Sequence, residues 1–316
     1  MVMAAPAVQL IMEKFPQSKF TLICKKGLED VLKIFPGDFE VLTFNKSEYK
    51  SLFNVWQFGR RLKLSNKDSF ISFPNSFSAA LMALASGAGI RIGYAKEGRG
   101  LFLNVTPTFH SEVHRVVQYF DLIKQGFSFK DACFNEVTLI GPSSEIAFQS
   151  KGALLVSFNS EASSRRMPLS KAVSILNAIA DLPVNNIILL GGPKDVNFNE
   201  GIINLLNLPH VISWAGKTNL FELASIMSSA KALLTVDSGP SHLANALRLQ
   251  TVVMHGADDE KNTEAYNKSY VHGLRYGKLP CEPCVKNVCK LGDESPCLLN
   301  LDEQLIKEKL QLILSN

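Results

Sequence analysis

From Met1 to about Gly141, short apolar runs alternate with amphipathic stretches. Residues 20–24, 39–42 and 70–73 read as buried strands, and 27–34, 49–64 and 76–87 carry helix-like patterns. The opening 1–12 has no basic lead and is interrupted by Pro6 and Gln9. It reads as a helix bound for a core rather than as a signal segment. The periodicity lapses over 141–152, and a cleaner series begins at Ala153. Strands are expected over 154–158, 186–190, 211–213, 233–236 and 251–254, with helices over 170–179, near 199–206, over 220–228 and over 241–247. The tail 301–314 reads as one amphipathic helix with Leu301, Leu305, Ile306, Leu310, Leu312 and Ile313 as its apolar positions. Strands alternating with helices mean βαβ units and parallel sheets. The fold class is therefore α/β, with two Rossmann-like domains over 1–147 and 148–316 facing across a cleft. Ligands are expected outside the carboxyl ends of the strands.

Composition narrows the function classes. At 316 residues, with 46% apolar and 20% charged positions and 20 Phe, the chain can bury real cores and is not disordered. Thirty-three basic against 29 acidic residues give a net charge of +4, too mild and too dispersed for a dedicated nucleic-acid binder. No apolar run approaches the roughly 18 to 20 residues of a membrane helix. Cys24 and Cys133 stand alone, which argues against a secreted disulfide framework and for the reducing cytosol.

Several segments could carry chemistry. In LLTVDSGPSHLANAL, 233–247, a buried strand runs into Asp237-Ser238-Gly239-Pro240 and a helix begins at about Pro240 or Ser241. Amides at such a helix start can hold phosphate oxygens, Gly239 permits close backbone approach, and His242 would sit in the first turn. A plain cap by Asp237 and Ser238 is the alternative. Arg165 and Arg166, in the loop after the strand at 154–158, have guanidinium forks suited to phosphate, although adjacent arginines are also common on solvated surfaces. Asp195, in Gly191-Gly192-Pro193-Lys194-Asp195, could accept from a ribose or simply close a tight turn. The pattern Cys281-x2-Cys284-x4-Cys289-x7-Cys297 would allow a four-thiolate zinc site stapling a loop, with free or redox-active thiols as the alternative. HExxH, P-loop, GxSxG and complete GxGxxG motifs do not occur.

The blocks FPNSFSAALMALASGAGIRIGYAKEGRGLFLN, LLGGPKD, AGKTNLFELASIMSSAKALLTVDSGPSHLANAL and CEPCVKNVC, in this order, resemble the ADP-heptose:lipopolysaccharide heptosyltransferases of glycosyltransferase family 9, nearest the heptosyltransferase II type. The resemblance spans nearly the whole chain. It implies a GT-B fold and inverting transfer of heptose from ADP-heptose to the lipopolysaccharide inner core, with no obligatory metal. By matched position it implies that Asp237, Ser238, Gly239 and His242 hold the donor's diphosphate and sugar. Arg165 takes the place of the Lys, and Met167 of the Trp, in the family's Lys-Arg-Trp-Pro motif, which makes Arg165 a leaving-group stabiliser. Ser160, Asp195 and Thr218 match positions lining the nucleotide pocket, and Asn75, Ser76, Arg91 and Arg99 fall in the acceptor block. Family members begin with a strand and a Gly-Asp loop directly before a Met-Val-Met-Ala-Thr-Pro helix start, whereas here Met1-Val2-Met3-Ala4-Ala5-Pro6 stands first. The expectation is that the first strand and the usual general-base Asp lie upstream of Met1, an internal Met. A remnant that binds nucleotide sugar without catalysis, and a transferase using another nucleotide sugar, are the alternatives. The expected location is cytoplasmic, with loose attachment to the inner leaflet of the inner membrane through basic residues such as Arg60, Arg61 and Lys63.

Overall fold

A computed structural model describes residues 1–45, 48 and 50–315. The chain divides into two compact units, one comprising Met1 and Met3–Asn135, the other Val2 and Glu136–Asn316. Segment 136–150, which the sequence assigns mostly to the first domain, goes with the second unit. There Ser144 Oγ donates to Ser225 Oγ (2.7 Å) and Ser150 Oγ to the Ile226 carbonyl (3.2 Å).

In the first unit the opening helix Ala5–Lys14 buries Ala5, Ala7, Val8, Leu10 and Ile11, as its apolar pattern requires. Leu10 and Ile11 share a core with Phe120 and Ile123 of the helix Arg115–Gly126. Strands β1 (Thr21–Lys25) and β2 (Glu40–Phe44) pair in parallel, as do β3 (Ser69–Ile71) and β4 (Ile90–Ile92). Among the described residues these are two separate two-stranded sheets. The helix Leu52–Arg61 is capped by Ser51, whose Oγ accepts from Asn54 N at 3.1 Å. Tyr49, where the sequence pattern would start this helix, lies outside the described residues. The helix packs on Phe77–Ser86 through Val55, Phe58 and Met82. A Cβ at Gly59 would stand 2.7 Å from both Ala85 Cβ and the Met82 carbonyl, so glycine is what lets the two helices approach.

The second unit is built on one six-stranded parallel sheet. Its strands are β5 (Leu154–Ser157), β6 (Ile187–Leu189), β7 (Val211–Ser213), β8 (Ala232–Val236), β9 (Thr251–His255) and β10 (Val271–Arg275), in the order β10-β9-β8-β5-β6-β7. Every residue of β5, β6, β8 and β9 is buried, which explains why these strands read as near-continuous apolar runs. The chain steps outward from β5 through β6 to β7, then returns to β8 on the other side of β5 and steps outward again. The connections leaving β5 and β8 therefore diverge. Such a reversal of strand order opens a crevice at the carboxyl ends of the two strands, where ligands of doubly wound sheets bind.

Candidate functional site

The loops leaving β5 and β8 carry the strongest candidates of the sequence. After β8 the chain passes Asp237 and Ser238 into the helix Gly239–Ala246, with Pro240 in its first turn. The first amides of such a helix have no intrahelical partner and, with the helix dipole, favour an anion. Ser238 turns its hydroxyl back to the Val236 carbonyl (3.2 Å) and makes no side-chain cap bond to the helix. A Cβ on Gly239 would meet nothing within 4 Å, so no part of the protein fills the space in front of this backbone.

After β5 the short 3-10 turn Ser163–Arg165 brings Arg165 to this helix start. Arg165 Nη1 lies 3.1 Å from Asp237 Oδ2, with the arginine side chain one-third exposed and the aspartate 4% exposed. His242 Nε2 lies 3.9 Å from the other carboxylate oxygen, Oδ1, which has no hydrogen-bond partner among the described residues. Burial and the nearby charge of Asp258 push the Asp237 carboxyl up to about 6, against the opposing influence of His255 and Arg165. Asp237, Ser238, Gly239, His242 and Arg165 thus converge on the crevice between β5 and β8.

The twin arginines part company. Arg166 hydrogen-bonds the Ser160 carbonyl through Nε (3.3 Å) and Nη2 (3.2 Å), and Nη2 also pairs with Asp195 Oδ1 at 3.0 Å. The other Asp195 oxygen, Oδ2, accepts from Gly192 N at 2.9 Å. Arg166 therefore ties the loop after β5 to the loop after β6, and both Asp195 oxygens are engaged in that fixture. Gly191 makes this turn possible, since a Cβ there would come within 2.8 Å of Asp195 Cβ and 3.0 Å of Asn159 Nδ2. Thr218 lies half-buried after β7, just ahead of Asn219, the cap of the helix Leu220–Ser229.

The acceptor block lies in the first unit. Ser76 Oγ caps the helix Phe77–Ser86 by accepting from Ala79 N at 3.2 Å. Arg91 donates to the carbonyls of Phe102 (2.9 Å) and Ala88 (2.8 Å), bracing the loop after β4. Arg99 is 2% exposed and donates from Nη1 to the Asn75 carbonyl at 2.8 Å. Its Nη2 is buried without a hydrogen-bond partner among the described residues.

The four late cysteines come together in space. Cys281, Cys284, Cys289 and Cys297 do line one small cavity, together with Glu282 and Gly256, and all are free thiols. Among the described residues no group of three or more His, Cys, Asp or Glu side chains is arranged to hold a metal ion. Cys281 is exposed, Cys289 takes a hydrogen bond from Leu291 N (3.4 Å), and burial with the nearby Glu282 pushes the Cys297 thiol up to about 11. The segment clamps the turn that bears Arg165. Ser164 N and Ser163 Oγ both donate to the Asn287 carbonyl at 3.2 Å, Ser164 Oγ donates to the Lys286 carbonyl at 2.5 Å, and Ser295 Oγ donates to the Ser164 carbonyl at 2.9 Å.

One cluster escaped the sequence reading. His255, fully buried at the end of β9, hydrogen-bonds Asp258 through Nδ1, and Asp258 Oδ1 accepts from Gly256 N at 2.9 Å. Arg275, at the end of β10, donates to the Gly256 and Asp258 carbonyls and pairs with Glu260 at 3.0 Å. Burial opposes ionisation of Asp258, but His255, the Gly256 amide and Arg275 together hold its carboxyl below the ordinary value. A histidine closing an otherwise apolar strand, with an aspartate three residues on, was the available signal.

The model of glycosyltransferase family 9 (heptosyltransferase) matches residues 55–294. The chain is 24% identical to the lipopolysaccharide core heptosyltransferase OpsX of Haemophilus influenzae, over 84% of this chain and 78% of that protein. It is 23% identical to lipooligosaccharide heptosyltransferase 2 of Campylobacter jejuni, covering 100% and 95%. Among solved structures, the Escherichia coli ADP-heptose lps heptosyltransferase II superposes with a TM-score of 0.79 at 19% identity over 100% of this chain and 95% of that one. The E. coli heptosyltransferase WaaC with ADP superposes with a TM-score of 0.74 at 17% identity, covering 99% and 95%. With its fold shared with these GT-B enzymes and the family model spanning both units, the chain belongs to glycosyltransferase family 9 and is a glycosyltransferase.

Proposed function

We propose that the protein transfers heptose from ADP-heptose to the inner core of a lipopolysaccharide, with inversion at the anomeric carbon, on the cytoplasmic side of the inner membrane. The observation that carries this reading is the Arg165–Asp237 pair at the start of the helix Gly239–Ala246, where the strand order of the sheet reverses. In this reading the donor's diphosphate enters the open space before Gly239, takes hydrogen bonds from the helix amides and draws the Arg165 guanidinium from Asp237. His242, in the same first turn, contacts the diphosphate or the sugar. Charge developing on the departing ADP is then met by a fixed cation and fixed dipoles, so the step requires no bound metal. Ser160, Asp195 and Thr218 border the nucleotide, with Arg166 holding Ser160 and Asp195 in register.

The second unit takes the donor and the first takes the acceptor. Arg99 supports that division, because its buried, unpartnered Nη2 suits a carboxylate or phosphate of the inner core. Asn75 and Ser76 stand beside it at the start of a helix, and Arg91 braces the adjoining loop.

The test is ADP release from ADP-heptose in the presence of a heptose-deficient core oligosaccharide. ADP release that requires the acceptor is the expected result, the acceptor hydroxyl displacing ADP at the anomeric carbon and giving its proton to solvent. Arg165→Ala and His242→Ala should each slow transfer by roughly tenfold or more, since each removes a contact to developing negative charge. Native rates in both variants would discard the site, and equal competition by UDP and ADP would discard the assigned nucleotide.

A further inference from the structure

We propose that the outer face of the helix Leu52–Arg61 is a docking surface for anionic phospholipid. A helix on the surface of a globular unit turns its apolar side chains inward. This one buries Val55, Phe58 and Gly59 against the helix Phe77–Ser86, yet leaves Leu52 55%, Phe53 67% and Trp56 37% exposed. Phe53, Trp56, Gln57 and Arg60 follow one another at i, i+3, i+4 and i+7, so they form a single stripe along the solvent side.

The charge around the stripe identifies the partner. The helix contains no acidic residue, ends in Arg60 and Arg61, and is followed by Lys63. Arg61 is paired with Glu48 at 2.5 Å and lies over the Phe58 ring. Arg60 and Lys63 make no ion pair among the described residues, so their charge faces outward uncompensated. Large apolar and aromatic side chains flanked by basic ones mark a helix that lies in the plane of a bilayer surface, with the rings at headgroup depth and the cations on anionic headgroups. A protein partner would need an acidic rim around an apolar socket, whereas an anionic bilayer presents both features everywhere. The helix it packs on follows Ser76, so the docking face belongs to the same unit as the residues assigned to a lipid-borne acceptor. For its purpose, though not for its geometry, the inference rests on the transfer reading above.

The test uses the full chain with vesicles of phosphatidylcholine alone and of phosphatidylcholine mixed with phosphatidylglycerol. Flotation is expected with the anionic vesicles only, and should be lost at high salt. Phe53→Ser combined with Trp56→Ser should lower the bound fraction by about tenfold, and Arg60→Glu by roughly fivefold or more. Trp56 and Trp214 are the two tryptophans of the chain. In a Trp214→Phe variant the Trp56 emission should therefore shift to the blue on anionic vesicles and be quenched by brominated phosphatidylglycerol. Absence of flotation, flotation unchanged in both surface variants, or an unquenched Trp56 would overturn the proposal. The transfer reading is separated by assaying the same proteins on a soluble, delipidated core oligosaccharide. A chain that floats but does not turn over leaves docking standing without transfer. One that turns over but does not float overturns docking alone.

Discussion

At the residue scale the central figure is Asp237, a carboxyl held 4% exposed between Arg165 and His242. Its value of about 6 lies above that of an unfolded aspartate, near 4. The folded chain therefore holds more protons than the unfolded chain between about pH 4 and 6, and its stability falls as pH rises through that window. Asp237→Asn should remove this slope and stabilise the protein at pH 8 by on the order of 2 kcal/mol, measured by urea unfolding. A variant no more stable than the native chain at pH 8, or one that keeps the slope, would contradict the assignment. The two arginines separate in the same way. Arg165→Ala should weaken ADP binding, while Arg166→Ala, which cuts the tie to Ser160 and Asp195, should lower the thermal midpoint by a few degrees. Much of this site was legible in the sequence: Asp237-Ser238-Gly239 ends a buried strand and Arg165 follows another. What could not be read was the division of labour. Arg165 and Asp237 are 72 positions apart, and two identical neighbours take opposite roles only because adjacent backbone positions point in different directions.

At the scale of elements, legibility followed burial. The strands β5, β6, β8 and β9, covered on both faces, stood out as apolar runs. β10 did not, because as an outermost strand it is mostly half-exposed and includes His272, Gly273 and Arg275. β4 escaped as three residues between Gly89 and Gly93. The clamp made by the cysteine segment was not legible either, because it consists of hydrogen bonds through Ser163, Ser164 and Ser295 to residues more than 100 positions away. Ser164→Ala should therefore destabilise the protein by about 1 kcal/mol and loosen the turn bearing Arg165, seen as weaker ADP binding. The network after β9 is more demanding. Removing one member of a buried charged set leaves the others uncompensated, so Asp258→Ala should cost about 3 to 5 kcal/mol in urea unfolding. A loss below about 1 kcal/mol would mean that His255 and Arg275 do not depend on it.

At the scale of the whole molecule, the two units differ in kind. The second is organised by one continuous parallel sheet whose strand reversal opens a crevice, and Arg165 and Asp237 meet there. The first is assembled from two small parallel pairs and helices packed on them, and presents a buried cation at Arg99 and an exposed aromatic stripe at Phe53 and Trp56. Among the described residues no helix is long and apolar enough to cross a membrane. Family membership was legible because several blocks agree in order along the chain. The assignment of this chain's own residues rests on the convergence of the loops after β5 and β8. The most direct measurement of that convergence is a calorimetric titration of ADP into the native chain and into Arg165→Ala. Saturable binding by the native protein, weakened at least about tenfold in the variant, is the expected result. Equal affinity in the two proteins, or no binding by the native chain, would contradict the account.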